Sequence, residues 1–257
     1  MGRKELGHKL AKDAGKLLLK YFRKDNVEKE KGRRDLVLGA DYKVEELIMN
    51  SIKKEFPDDT IVSEESDGRK GTSGHKWIID PLDGTVNFSS GIPHFNVSIG
   101  VEKENEMRYA FVYNPVTDEL FSAEKNKGAF LNGEKIKVSS EENLEKFLVA
   151  YGASNHKDAE MIELGVDSVR KILLNCRAIR MRGSAMLDFC HLANGMFDGY
   201  IRIDSKEWET PAGILLIEEA GGRVTDFDGK EWGPKAKNLL ASNGKKHKEL
   251  VEIMKNS

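Results

Sequence analysis

Cysteine is nearly missing from this chain. Its 257 residues hold two, Cys176 and Cys190. Their separation matches no metal or redox spacing, so neither a cysteine metal site nor a disulfide framework is expected. Both read as buried thiols of a reducing compartment. An excess of one charge is missing too. Asp and Glu number 43 against 41 Lys and Arg, a net charge of -2. That balance removes the electrostatic argument for nucleic acid, and no polybasic block marks a membrane surface. Long apolar runs are absent. Stretches such as Ile214-Leu215-Leu216-Ile217 are far too short to cross a bilayer. The charged start, Met1 to Leu6, has no secretory pattern, and Leu6 stands where a myristoylation signal wants Ser or Thr. A cytoplasmic location is therefore expected, and the sequons at Asn87 and Asn96 are read as chance. Glutamine is absent altogether while Lys and Glu abound, a bias of heat-adapted proteins, although many Asn remain.

What is present suffices for a folded core. Apolar residues make up 39%, and a chain of this length buries most of its apolar surface without staples. Helical spacing of Leu6, Leu10, Ala14, Leu17 and Leu18 predicts a helix over 3–24. Val44, Leu47, Ile48, Ile52 and Phe56 predict a second, ended by Pro57. Between them, Glu28 to Asp41 reads as a charged, mobile connection. Strands are predicted at 60–63, 77–80, 95–101, 108–114, 119–123 and 128–131. The second half alternates strands at 147–151, 178–181, 199–203, 222–225 and 238–241 with helices at 157–174, 184–194, 211–220 and 246–255. That alternation predicts a layered α/β half. The change of style divides the chain into 1–142, an α+β part, and 143–257, an α/β part.

The strongest local signal is Trp77-Ile78-Ile79-Asp80-Pro81-Leu82-Asp83-Gly84-Thr85. An apolar strand delivers Asp80 at its end, Pro81 turns the chain out of the sheet, and Asp83-Gly84 makes a tight turn. Two carboxylates so placed, with the Leu82 carbonyl, suit a hard cation such as Mg²⁺. Gly84 and Thr85 offer N–H groups and a hydroxyl to an anion. The same residues would also serve as a plain turn with Asp80 as a cap. Glu64-Glu65 closes another short strand, and strand ends are where open α/β sites gather their ligands. Alone, such a pair is a solvated surface feature. Glu209 precedes Thr210-Pro211, a capped helix start, and Gly221-Gly222 ends that helix.

Together these motifs resemble the inositol monophosphatase family of Mg²⁺-dependent phosphatases. The resemblance rests on Glu64-Glu65, on Asp80 to Phe88, and on Trp208 to Gly213 followed by Glu219 to Gly222. It runs from about Asp35 to Asn243. It implies a layered αβαβα sandwich of the sugar-phosphatase type, usually a homodimer, with lithium sensitivity. It also implies two or three Mg²⁺ per site, held by Glu64, Asp80, the Leu82 carbonyl, Asp83 and Glu209, with Asp80 bridging two. Asp41 and Thr85 would orient the attacking water, with Glu64 beside them. Gly183-Ser184-Ala185 matches the segment lining the substrate alcohol pocket, and Asp83, Gly84, Thr85, Arg202 and Glu209 complete the substrate contacts. No Cys, Ser or His nucleophile is needed, and His94, His156 and His191 read as ordinary polar or core residues.

The chain departs from the family at three places. Glu209 replaces an Asp, which moves the carboxylate by about 1.5 Å, one C–C bond. Leu38 replaces a common Thr. Arg202 stands where animal members carry a Glu that binds inositol hydroxyls. A guanidinium suits a second phosphate better than a polyol, unless Arg202 is only a surface strand residue. The expected substrates are small phosphorylated metabolites, chiefly inositol 1-phosphate and fructose 1,6-bisphosphate. Rivals are histidinol phosphate, adenosine 3',5'-bisphosphate, or a non-catalytic member that binds metal or phosphate.

Overall fold

The structure is a computed structural model. It describes residues 1–257 apart from 25–26, 33–34, 65–67, 154–157, 205–209, 234 and 256–257, and for 27–32 and 35–38 it describes the backbone alone. Two helices open the chain, α1 (Arg3–Tyr21) and α2 (Gly39–Glu55). The residues between them are not a bare connection. They form an antiparallel hairpin of β1 (Val27–Gly32) and β2 (Asp35–Leu38). β1 is mostly charged and β2 is an apolar run after Asp35, so neither shows apolar alternation in the sequence.

A seven-stranded sheet follows. It runs β3 (Thr60–Ser63), β4 (His75–Asp83), β5 (Asn96–Lys103), β6 (Glu106–Asn114), β7 (Glu119–Glu124), β8 (Gly128–Leu131) and β9 (Glu134–Ile136), each hydrogen-bonded to the next. All its pairings are antiparallel except β3 with β4, which is parallel. A short helix, α3 (Thr85–Ser89), interrupts the path from β4 to β5.

The second sheet has five strands in the order β11-β10-β12-β14-β13. These are β10 (Leu148–Ala153), β11 (Ala178–Arg180), β12 (Gly199–Ile203), β13 (Arg223–Thr225) and β14 (Asn238–Ser242). The helices between them are α4 (Ala159–Asn175), α5 (Ala185–Ala193) and α6 (Pro211–Glu219), and α7 (His247–Lys255) follows β14.

Three apolar layers join the elements. Leu10, Leu18, Val44, Ile48, Trp77 and Ile99 seal α1 and α2 onto one face of the large sheet. Phe121, Phe189, Leu216, Tyr200 and Leu239 fill the space between the sheets, around α5 and α6. Val149, Ile172, Ile201, Leu240 and Leu250 seal α4 and α7 onto the far side. The result is the expected αβαβα sandwich. Its central helices α5 and α6 are mostly apolar, as helices packed between two sheets must be.

Helix α6 shows how local chemistry sets an element. Pro211 occupies the first turn, and Thr210 holds the N-cap position without a side-chain capping bond. The expected Thr210 cap is thus a cap by position only. At the other end Gly221 (φ +90°) takes the left-handed conformation. Its N–H bonds to the Glu218 carbonyl and that of Gly222 to the Ile217 carbonyl, the paired closure of a Schellman turn. Glu219 uses both carboxylate oxygens on the N–H groups of Asn126 (2.7 Å) and Gly128 (2.8 Å). The trailing Glu of the motif therefore ties α6 to the turn between β7 and β8.

Candidate active site

The site grows from a break in one strand. Asp80 pairs with Ser98 of β5 and Asp83 with Asn96, so β4 carries one residue more than its partner over this stretch. Such a bulge bends a strand and re-aims its side chains. Proline explains its place, since Pro81 has no N–H for the ladder. The turn is held from within. Asp80 Oδ1 accepts the Leu82 N–H (3.0 Å), and the Thr85 hydroxyl donates to the Leu82 carbonyl (3.0 Å). Gly84 (φ +90°) then lets the chain enter α3. A Cβ there would meet the His94 carbonyl at 2.9 Å, so both the conformation and the space require glycine.

Asp80 is buried, at 1% exposure, and so is Asp41 at 2%, in the first turn of α2. Ser63, the last residue of β3, pairs in register with Ile79 of its parallel neighbour β4, so the chain leaves β3 at Glu64 alongside Asp80. Glu64 is half-buried. Glu65, His156, Trp208 and Glu209 lie outside the described residues.

Asp83 also joins the turn to α5. Its Oδ2 accepts from Asn96 Nδ2 (2.7 Å), Ser184 Oγ (2.6 Å) and the Met186 N–H (2.9 Å), and its Oδ1 accepts the Ala185 N–H (3.1 Å). Ser184, the N-cap residue of α5, makes no capping bond of its own. The carboxylate of Asp83 caps that helix from another sheet, where a negative charge also meets the positive end of the helix dipole. Ser184 and Ala185 are thus bonded directly to Asp83, and Gly183 to Asn87.

Asn87 makes the second tie. Its Nδ2 donates to the carbonyls of His94 (2.9 Å), Arg182 (2.8 Å) and Gly183 (3.3 Å). Asn87 and Asn96 were not singled out as site residues from sequence. Asn87 stands inside the quoted motif, whereas Asn96 is marked only by its register opposite Asp83.

Arg202 is not a surface residue. It is 5% exposed on β12, an interior strand flanked by β10 and β14, and its Nη1 donates to the Tyr200 hydroxyl (3.3 Å). Opposite it on β10 is Gly152, where a Cβ would meet the Tyr200 hydroxyl at 2.6 Å. A strand with neighbours on both edges and helices on both faces hides even a charged side chain. Its charge is felt at Asp188 of α5, whose carboxyl burial pushes up to about 7 against the opposing pull of Arg182. Burial, with Arg182 nearby, pushes His191 down to about 3 and His94 down to about 4. Both imidazoles are neutral at pH 7, which fits their reading as polar and core residues.

The donors of the turn suit a hard divalent cation in kind. Asp80, the Leu82 carbonyl, Asp83 and Glu64 are all oxygen ligands, and no thiolate or imidazole is among them. Among the described residues, no three His, Cys, Asp or Glu side chains stand close enough to hold one ion.

Comparison with known proteins fits this geometry. The inositol monophosphatase family model matches residues 4–257. A fructose-1,6-bisphosphatase/inositol-1-monophosphatase of Thermotoga maritima is 36% identical over 255 residues, covering 99% of this chain and 96% of that protein. The Escherichia coli K12 protein called Nus factor SuhB is 38% identical over 248 residues, covering 95% and 92%. Among solved structures, the extragenic suppressor protein suhB of Bartonella henselae superposes with a TM-score of 0.93 at 35% identity, covering 98% of each chain. The Thermotoga maritima inositol monophosphatase gives 0.89 at 35%, covering 99% and 97%. The chain is a member of the inositol monophosphatase family, whose enzymes are phosphatases.

Proposed function

We propose that this protein is a Mg²⁺-dependent phosphomonoesterase of small phosphorylated metabolites, chiefly inositol 1-phosphate and fructose 1,6-bisphosphate. The observation that carries the reading is the bulged turn of β4, with Asp80, the Leu82 carbonyl, Asp83 and Thr85 within six residues of one another in a member of a phosphatase family. Asp80, Asp83, Glu64, Glu209 and the Leu82 carbonyl would hold the Mg²⁺ ions. Bound Mg²⁺ supplies charge neutralisation, an acidified water and stabilisation of the leaving alkoxide. The chain does the positioning. Thr85 spends its proton on Leu82, so its oxygen is left to accept one from water. Asp41, buried at the start of α2, is the carboxylate that takes a share of the other. Gly183, Ser184 and Ala185 line the place of the alcohol, and Arg202 favours a substrate with a second phosphate.

Residues 1–142 carry most of the ligand candidates in this reading, and 143–257 complete the pocket. A cytoplasmic homodimer and lithium sensitivity belong to it as well. The exposed apolar residues Ile162, Val166 and Leu173 on one side of α4 support self-association.

The test is phosphate release from inositol 1-phosphate, fructose 1,6-bisphosphate, histidinol phosphate and adenosine 3',5'-bisphosphate, with and without Mg²⁺. Turnover that requires Mg²⁺ establishes the activity, and the ranking of specificity constants says whether Arg202 reads a second phosphate. A second reading has the name of the Escherichia coli relative behind it, Nus factor SuhB. In it the chain binds metal or phosphate and acts through a partner. No turnover on any of the four substrates would bring that reading forward.

Glu209 gives a further expected outcome. Its longer side chain would weaken one metal position, so Glu209→Asp should lower the Mg²⁺ concentration for half-activation by about 10-fold, within the 10–100-fold range seen when a site's supporting groups change. Identical Mg²⁺ curves for the variant and the parent would show that Glu209 reaches its metal unhindered.

A further inference from the structure

One charged cluster beside the site has no part in the reading above. Arg182 immediately precedes the Gly183-Ser184-Ala185 turn. Its Nε (3.0 Å) and Nη2 (2.7 Å) both donate to Asp188 Oδ1 on the first turn of α5. Nη2 also meets Nδ1 of His191, one turn further along. Arginine only donates, so Nδ1 of His191 must accept, and the imidazole is neutral with its proton on Nε2. The guanidinium lies 4.5 Å over the ring of Phe197, and the Arg182 carbonyl accepts from Asn87. Asp188 is 1% exposed, so this ion pair is sheltered on its acidic side.

We propose that Arg182 is a positioning residue for the substrate alcohol pocket, locking the Gly183 turn against α5 so that Ser184, Ala185 and Met186 stay seated on Asp83. The turn needs such a lock. Gly183 has φ +74°, and Ser184 is extended at φ -142°. Nothing in the backbone preference of a glycine holds that shape. Three anchors hold it instead. Asn87 grips two of its carbonyls, Asp83 grips the three donors that follow, and Arg182 reaches forward over the turn to Asp188 and His191. Only the first two come from the metal-motif segment. The third comes from Arg182, just ahead of α5, and through Asp188 and His191 it fixes the angle at which the helix meets the turn. The planar fork of arginine reaches both partners at once, which the point charge of a lysine does not.

The inference rests on reading this turn as the alcohol pocket, and two measurements keep the two apart. With Mg²⁺-loaded enzyme, Arg182→Ala should raise KM for inositol 1-phosphate about 10-fold with kcat held within about 3-fold, because only binding geometry is disturbed. Asp188→Ala should raise KM in the same sense, and the double variant should be no worse than Arg182→Ala, since both break one lock. Independently of turnover, hydrogen exchange at the Ala185 and Met186 amides should quicken about 10-fold in Arg182→Ala while the strands of the large sheet keep their protection. Unchanged exchange at those amides overturns the lock, whatever the activity. Quickened exchange with KM unchanged overturns its link to the pocket. A parent protein without activity on any substrate defeats the phosphatase reading and leaves the lock to be decided by the exchange alone. Arg182→Lys serves if the alanine variant folds poorly, with an intermediate effect expected on both measurements and full parental behaviour counting against the fork.

Discussion

Asp80→Asn is expected to lower Mg²⁺-dependent phosphate release by about 10³-fold without unfolding the protein. Metal-borne charge supplies several kcal/mol of transition-state stabilisation, and each 1.4 kcal/mol is about a factor of ten. Asp80 is the acid that the resemblance places between two ions, so its loss would disturb both. The fold should survive for a structural reason. Asp80 is 1% exposed, and its Oδ1 accepts the Leu82 N–H, a bond an amide oxygen preserves. Replacing a buried carboxylate by an amide also removes a desolvation cost. Thermal melts separate site loss from fold loss. An ion that binds only the folded state at 100 times its Kd stabilises it by about 2.7 kcal/mol. The parent should therefore melt higher in Mg²⁺ than in EDTA, and Asp80→Asn should melt alike in both. A variant that keeps its Mg²⁺ shift and its turnover would remove Asp80 from the metal site.

The turn around Asp80 was legible because its signals are local. Pro81 marks the bulge and Gly84 the end of β4, although the strand runs on to Asp83 instead of ending at Asp80 as the apolar run predicts. The boundaries of β3, β8 and β12 coincide with the apolar runs that predicted them. Where the signal is non-local the sequence was silent. Nothing in the sequence announces the four hydrogen bonds that Asp83 accepts from Asn96, Ser184, Ala185 and Met186. The Arg182 lock joins residues six and nine apart, on either side of a helix start, and no periodicity marks it. Arg202 misleads in the other direction. A charged residue in a strand is ordinarily exposed, and only the order of the sheet shows that β12 has no free edge. The β1–β2 hairpin lacks both apolar alternation and a strong turn signal. The short α3 has five residues, too few for a helical period.

Asp59→Ala is expected to cost about 3 kcal/mol, near the lower end of the range for breaking a buried ion pair because Arg3 is partly exposed. The carboxylate sits 1% exposed where α1, α2 and β4 meet. It accepts two bonds from Arg3 (both 2.8 Å), one from Ser73 Oγ (2.6 Å) and one from Trp77 Nε1 (2.8 Å). Arg3 lies 4.3 Å over Phe56, so the cluster also fixes the start of α1 against the end of α2. Its removal strands the indole N–H of a fully buried tryptophan. For a domain of this size the melting point should fall by about 6–12 °C. The effect depends on pH. Burial pushes the Asp59 carboxyl up, but the bonds from Arg3, Ser73 and Trp77 outweigh it and hold it below the ordinary carboxylate value. The unfolded chain therefore binds this proton more tightly than the folded one. The stabilisation is present in full above the unfolded value, about 4, and is lost as pH falls through the lower folded value. Between pH 5 and 8 this group adds no slope. The parent and Asp59→Ala should differ by a constant amount across that window, and their stabilities should converge in acid. A difference that persists undiminished at pH 2 would mean that Asp59 acts through packing alone, and that its charge contributes nothing to holding α1 in place.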